Sequence, residues 1–333
     1  MNTISNFNIK LILAFLSIYI IWGTTYLAIE FALLGFPPFV ISGLRFTIAG
    51  ILILLFQYYK GEKQNSLSNW KKNAIPGILV LSAGTGLVAW AEQYVSATEA
   101  AIVLAITPIL FIVIDKANWK KNFSDKFLNI GLLFGFGGLI IFLKDSLLSS
   151  EIADNNSFRT IAFGVLLLSA ILWVLGSLYS KKHKSTHSLF LNVGQQLTVG
   201  GLGSLLIATF RSEWVEVQWI SIPNSAWIAL IYLIVFGSMV AYLAFIWLLS
   251  VKPPALVSTH TYINPVVAVV FGWLVARQFI SGWQLFGLAI ILAGVLLTNL
   301  GTYKISKRKA VRFRKFGYVL KRISNPYRYI THS

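Results

Sequence analysis

Cysteine is absent from the 333 residues. That removes disulfides, thiol nucleophiles and iron–sulfur ligation, and says nothing about the redox compartment. Charge is scarce too: charged residues make up 12% of the chain, about half the share of a soluble domain. Among them 11 acids face 28 Lys and Arg. With 56% hydrophobic residues, the chain has no surface suited to water, and a soluble domain is excluded. Also missing is a GxxxxGK phosphate loop, so ATP is not indicated as an energy source. The apolar runs hold no Ser–His, paired-Asp or HExxH arrangement, which argues against an intramembrane enzyme. No metal or other cofactor is implied. His183 and His187 of "HKSTH" have a zinc-compatible spacing but no third ligand, and among Lys181, Lys182 and Lys184 they read as a solvated loop.

What is present is a series of apolar runs about 20 residues long, the length of helix that crosses a hydrocarbon core about 30 Å thick. Ten spans are expected, near 11–30, 38–58, 74–94, 97–114, 127–143, 161–180, 188–209, 225–247, 254–275 and 282–300. The first has no small-x-small cleavage site after it and is expected to be retained.

Lys and Arg collect on cytoplasmic loops. With the N-terminus inside, 23 of the 28 basic residues fall on the cytoplasmic side, only Lys144, Arg159, Arg211 and Arg277 fall outside, and Arg45 lies within span 2. Both termini are therefore expected in the cytoplasm. Residues 304–333 carry ten Lys or Arg and no acid, interleaved with Phe and Tyr. A basic aromatic tail beside a bilayer suits anionic lipid headgroups better than nucleic acid, with a plain solvated tail as the alternative.

The halves look alike. "WAEQYVSATEAAIVLAITPILFIVI" (90–114) lies over "WLLSVKPPALVSTHTYINPVVAVVF" (247–271), matching Trp90 with Trp247 and Pro108 with Pro265; residues 39–55 lie over 189–207, pairing Arg45 with Gln195. Trp22 and Trp173 occupy the first span of each half. The expected fold is an all-α integral membrane protein of ten transmembrane helices in two inverted five-helix repeats, 1–145 and 146–303, followed by the tail 304–333. An odd number of spans per repeat inverts the second copy, as in secondary transporters. Pro108 and Pro265 free the carbonyls of Leu104 and Thr261, which become either ligands in a cavity or the mark of a packing kink.

Polar and small residues at helical spacing mark the expected cavity face. They are Trp22, Thr25 and Tyr26 on span 1; Arg45 on span 2; Thr85, Trp90, Glu92 and Gln93 on span 3; Gln195 and Gln196 on span 7; Ser238 and Tyr242 on span 8; and His260 and Asn264 on span 9, with Trp173 and the two prolines. Spans 5 and 10, rich in Gly and without internal charge, read as scaffold or lipid contact. Glu92 lies about 25 Å along its helix from Ile75, at 1.5 Å per residue, near the same outer interface as Arg45. Three readings of Glu92 stand: an interfacial carboxylate, a partner of Arg45, or a protonatable vestibule group. Arg45, if unpaired, suits a substrate carboxylate. His260 is either a proton carrier or a neutral imidazole bonded to a helix carbonyl.

"IWGTTYLAI", "LRFTIAG", "WAEQYVSATEAAIVLAITP", "GSMVAYLAFIWLLSVKPPA" and "YINPVVAVVFGWLVARQ" resemble the EamA-type transporters of the drug/metabolite transporter superfamily over residues 11 to 300. The resemblance implies a central cavity walled by spans 1–4 and 6–9 of a cytoplasmic-membrane protein. It also implies export of small metabolites such as amino acids, with proton coupling left open. Where members often carry a Gly-Glu pair after span 9, this chain has Ala276, Arg277 and Gln278. A facilitative uptake permease and a non-transporting scaffold are the alternatives. A monomer in the bilayer, with a small metabolite as partner, is expected.

Overall fold

The computed structural model describes residues 2–62, 67–95, 100, 103–142, 144, 157–183, 187–276 and 281–298. The basic tail, Arg277 and Gln278 lie outside them. All regular elements among the described residues are helical. The longer ones are α1 (Asn2–Leu33), α2 (Pro38–Tyr59), α3 (Leu67–Ala91), α4 (Thr107–Ile114), α5 (Lys126–Phe142), α6 (Ser157–Lys182), α7 (Leu189–Phe210), α8 (Asn224–Val251), α9 (His260–Ala276) and α10 (Gly282–Thr298). Helices α1, α2, α3, α6, α7 and α8 are long and apolar enough to cross a membrane. A seventh span results if α5 is joined to the short helix before it, from which it turns by 90°. The chain is thus a multi-pass membrane protein, and its outward-facing Leu133, Leu206, Phe210 and Ile228 form the apolar surface that lipid requires.

Two of the expected spans are not continuous helices. Span 4 breaks at a turn over Ala105 and Ile106, and Pro108 stands in the first turn of α4, where its missing N–H removes no helix bond. Span 9 begins as the short helix Pro254–Val257, breaks at Ser258 and Thr259, and resumes as α9. Bare carbonyls at such a break are costly in hydrocarbon. The sequence Ser258-Thr259-His260-Thr261 covers them, each side chain reaching the carbonyl three residues back. Ser258 Oγ donates to Ala255 O (3.0 Å), Thr259 Oγ1 to Leu256 O (2.7 Å), His260 Nδ1 to Val257 O (3.0 Å) and Thr261 Oγ1 to Ser258 O (2.9 Å).

Helix α3 starts seven residues before the expected span because Asn69 and Asn73, one turn apart, are buried against α7 while Lys71 and Lys72 stay exposed. Both α3 and α8 change to π geometry midway, over Gly77–Thr85 and Leu233–Val240. In each, a hydroxyl bonds the carbonyl five residues back: Thr85 to Val80 (3.1 Å) and Ser238 to Leu233 (2.8 Å).

Packing uses close approach rather than hydrophobic driving force, as lipid demands. A Cβ at Gly50 would lie 2.5 Å from Thr198 N, and one at Gly200 2.6 Å from Gly77 O. Gly131 and Gly294 bring α5 against α10 in the same way. Helix α1 packs on α8 and α9, and α6 on α3 and α4.

The ends of the α2–α7 pair are tied by two carboxylates. Glu213, just past the end of α7, accepts from Phe39 N (2.9 Å) and Val40 N (3.2 Å) at the start of α2 and pairs with Arg211 at 3.2 Å. Glu62, just past the end of α2, accepts from Ser188 N (2.9 Å) and Ser188 Oγ at the start of α7. Each supplies negative charge to the amino end of the partner helix, which has unbonded N–H groups and a positive dipole end.

Candidate functional site

A cavity of about 110 Å³ lies among α1, α2, α3, α4, α6, α8 and α9, room for a few waters or a small solute. Trp22, Thr25 and Tyr26 reach it from α1, Arg45 and Phe46 from α2, and Thr85 from α3. Thr107 joins them from α4, Ser169 and Trp173 from α6, Tyr242 from α8, and His260, Thr261 and Asn264 from α9.

Aromatic rings set the shape of one wall. Trp22 and Trp173 meet edge to face with centroids 5.6 Å apart, and Phe245 lies 5.1 Å from the first and 5.5 Å from the second. The Trp22 indole N–H donates to Gly237 O (3.1 Å) in the π segment of α8. His260, ring to ring 4.9 Å from Trp22, donates Nδ1–H to the Val257 carbonyl. The Asn264 amide donates to His260 O (2.8 Å) and Tyr19 O (3.3 Å).

Arg45 and Glu92 are near enough to feel each other's charge, but they form no ion pair. The Arg45 guanidinium carbon stands 4.3 Å from the centre of the Phe46 ring, its Nε has no partner, and Glu92 Oε1 is buried without one. Glu92 follows the last residue of α3 and does not reach the cavity wall.

Other expected cavity residues lie elsewhere. Gln93 is exposed and borders a separate surface pocket with Glu216 and Gln218. Trp90 packs on Tyr94, centroids 5.0 Å apart. Pro108 and Pro265 are inside their helices and off the wall, and Ser238 turns back to its own backbone. Of the two carbonyls that the prolines were expected to free, Leu104 O loses no helix bond to Pro108, which stands in the first turn of α4, and accepts from Thr107 Oγ1. Helix α7 contributes nothing to the wall. Gln195 and Gln196 join an amide cluster with α3 instead: Asn69 and Asn73 both donate to Gln195 Oε1 (2.7 and 2.9 Å), and Gln196 Nε2 donates to Asn73 Oδ1 (2.9 Å). One bond ties this cluster to the cavity, from Tyr242 OH to Gln196 Oε1 at 2.8 Å. Sequence reasoning passed over Asn69, Asn73, Ser169 and Thr107; the i, i+4 pair of asparagines was the available signal.

The EamA-like transporter family model matches residues 9–144 and again 160–300. The chain belongs to the EamA-like transporter family. This EamA-like transporter is 30% identical over 300 residues to the uncharacterized inner membrane transporter YedA of Escherichia coli K12, covering 90% of this chain and 93% of that one. It is 25% identical to the uncharacterized transporter YoaV of Bacillus subtilis, covering 90% and 99%. The WAT1-related protein At3g02690, chloroplastic, of Arabidopsis thaliana is 26% identical over 85% of this chain and 68% of its own length. A crystal structure with a TM-score of 0.68 at 17% identity, covering 88% of this chain and 97% of that one, has the same fold. The protein is a membrane transporter, and the resemblance read from its motifs holds.

Proposed function

We propose that this transporter is a secondary carrier that exports small metabolites, amino acids or related compounds, by alternating access of the central cavity across the cytoplasmic membrane. Residues 1–145 and 146–303 are two inverted repeats making ten spans, and both termini are cytoplasmic. The observation that carries the reading is reciprocal packing around the cavity. The first helix of each half lies on the third and fourth of the other, while α2 meets α7 and α5 meets α10. The paired π segments and the paired carboxylates Glu62 and Glu213 obey the same relation.

Two equivalent arrangements of such halves expose one site to opposite sides in turn. The amide cluster of Asn69, Asn73, Gln195 and Gln196 is then a closed seam on the cytoplasmic side, which opens when the halves rock. The direction of net flux follows the gradient, and the tail 304–333 rests on anionic lipid headgroups. Proteoliposomes loaded with labelled amino acids and nucleobases test the reading: efflux of at least one above protein-free vesicles is expected. Folded, inserted protein that moves none of them in either direction overturns it.

A further inference from the structure

The cavity wall holds a strong donor with nothing to bond. Arg45 is 6% exposed, lies on the wall, and has an unpartnered Nε. The Phe46 ring stabilises its cation but does not take the place of a hydrogen-bond acceptor. Behind the wall, the Glu92 carboxylate lies in the field of Arg45 with Oε1 unpartnered. Among the described residues, the other titratable groups that face Glu92 are Tyr26 and Glu30 of α1. Tyr94, two residues on, stacks on Phe158 of α6, the neighbour of Arg159. His260, across the cavity, is held on the Val257 carbonyl.

Building on the carrier reading, we propose that Arg45 seats the carboxylate of a small monoanionic solute and that its occupation makes Glu92 take up one proton. At a pH where Glu92 is ionised, the empty site pairs the Arg45 cation with the Glu92 carboxylate. A bound anion would claim the Arg45 charge and leave Glu92, half-buried with Oε1 out of reach of solvent, as an uncompensated carboxylate, with Glu30 adding repulsion. A proton from water, captured on the Glu92 carboxylate, restores the balance. Empty and loaded sites then carry the same net charge, which is what a site crossing hydrocarbon requires. Glu92 does not touch the solute; it sets the protonation that accompanies binding.

Butyrate and butyramide, equal in shape and different in charge, test this on the purified full-length protein in detergent. Intrinsic tryptophan fluorescence, to which Trp22 and Trp173 on the wall contribute, reports occupancy, and calorimetry at a pH where free Glu92 is ionised, in two buffers of different ionisation enthalpy, counts protons. Butyrate is expected to bind at least tenfold tighter than butyramide, with close to one proton taken up. Its affinity should fall by up to tenfold per pH unit as pH rises through the range where free Glu92 is ionised. Glu92→Gln should keep the preference for butyrate and lose both the pH dependence and the proton. The double variant Arg45→Gln with Glu92→Gln should bind the two probes alike.

The proton count on unmodified protein needs no variant and decides the question even if the variants misfold. Equal binding of the two probes by unmodified protein, zero proton uptake, or uptake that persists in Glu92→Gln overturns the proposal. Binding of neither probe by protein that does transport a metabolite also overturns it, and leaves the carrier reading standing. Absence of all transport removes the carrier reading instead.

Discussion

Gly50→Ala separates a packing role for glycine from its cost to a helix. The added Cβ would lie 2.5 Å from Thr198 N and 2.9 Å from Gly194 O. It would enter the space where Thr198 Oγ1 donates to Gly194 O at 2.9 Å. Ordinary contact begins at 3.4 Å, so clearing Thr198 N requires α2 and α7 to part by about 0.9 Å, and besides the Thr198 Oγ1 side-chain atom the obstacles are two backbone atoms that cannot swing away. Overpacking of this kind costs about 1–3 kcal/mol, against about 1 kcal/mol regained because alanine is the better helix former. Gly137→Ala supplies the control: it has the same propensity gain in α5, and nothing lies within 4 Å of its Cβ. Propensity cancels between the two variants, so their difference isolates the helix contact at about 1–3 kcal/mol. At roughly 2–4 °C per kcal/mol for a chain of a few hundred residues, Gly50→Ala should melt several degrees below Gly137→Ala. Both are heated at one scan rate in one detergent, since such unfolding is seldom reversible. A Gly50→Ala protein that melts with Gly137→Ala, or above it, refutes close backbone approach as the basis of the α2–α7 contact.

Tyr242→Phe removes the donor to buried Gln196 Oε1, which should cost about 1–3 kcal/mol and slow transport; unchanged melting and flux would detach the amide cluster from the cavity. Burial opposes ionisation of Glu62, but bonds from Ser188 and Gln57 outweigh it and hold the carboxyl below the ordinary carboxylate range. Its contribution to stability is therefore present above the unfolded pKa and lost as pH falls through the folded one. Melting temperature measured from pH 6 down to pH 3 should decline less steeply in Glu62→Gln than in the unmodified protein. Deleting residues 304–333 should preserve transport and reduce binding to vesicles containing anionic lipid, in a co-sedimentation assay with and without phosphatidylserine.

Where the chain carries punctuation, its helices were legible. Helix α2 was expected over 38–58 and runs Pro38–Tyr59, because proline opens a helix readily and Lys60-Gly61, with Gly61 at φ +79°, closes it. Helix α7 starts beside Ser188, whose Oγ accepts from Leu191 N at 3.1 Å, an ordinary cap. The π segments were not legible, since one extra residue in a turn leaves no mark in an apolar run. The start of α3 was missed for a different reason. "SNWKKNA" has a loop's composition, and only the partners on α7 make its asparagines helical residues rather than turn residues.

The same limit governed the cavity. Helical spacing says which residues share a face, but not what that face meets. Gln195 and Gln196 share theirs with Asn192, and the neighbour turned out to be Asn69 and Asn73, not a cavity. Polar residues in this protein are mostly spent on protein: Ser258, Thr259, His260 and Thr261 on a broken helix, Thr107 on Leu104, Ser238 on Leu233, and the amides on one another. Composition alone makes each of them a ligand candidate, and the backbone's own demand inside a membrane removes most of them. Arg45 survives the subtraction. It is on the wall and buried, and among the described residues no carbonyl or carboxylate has claimed its Nε donor.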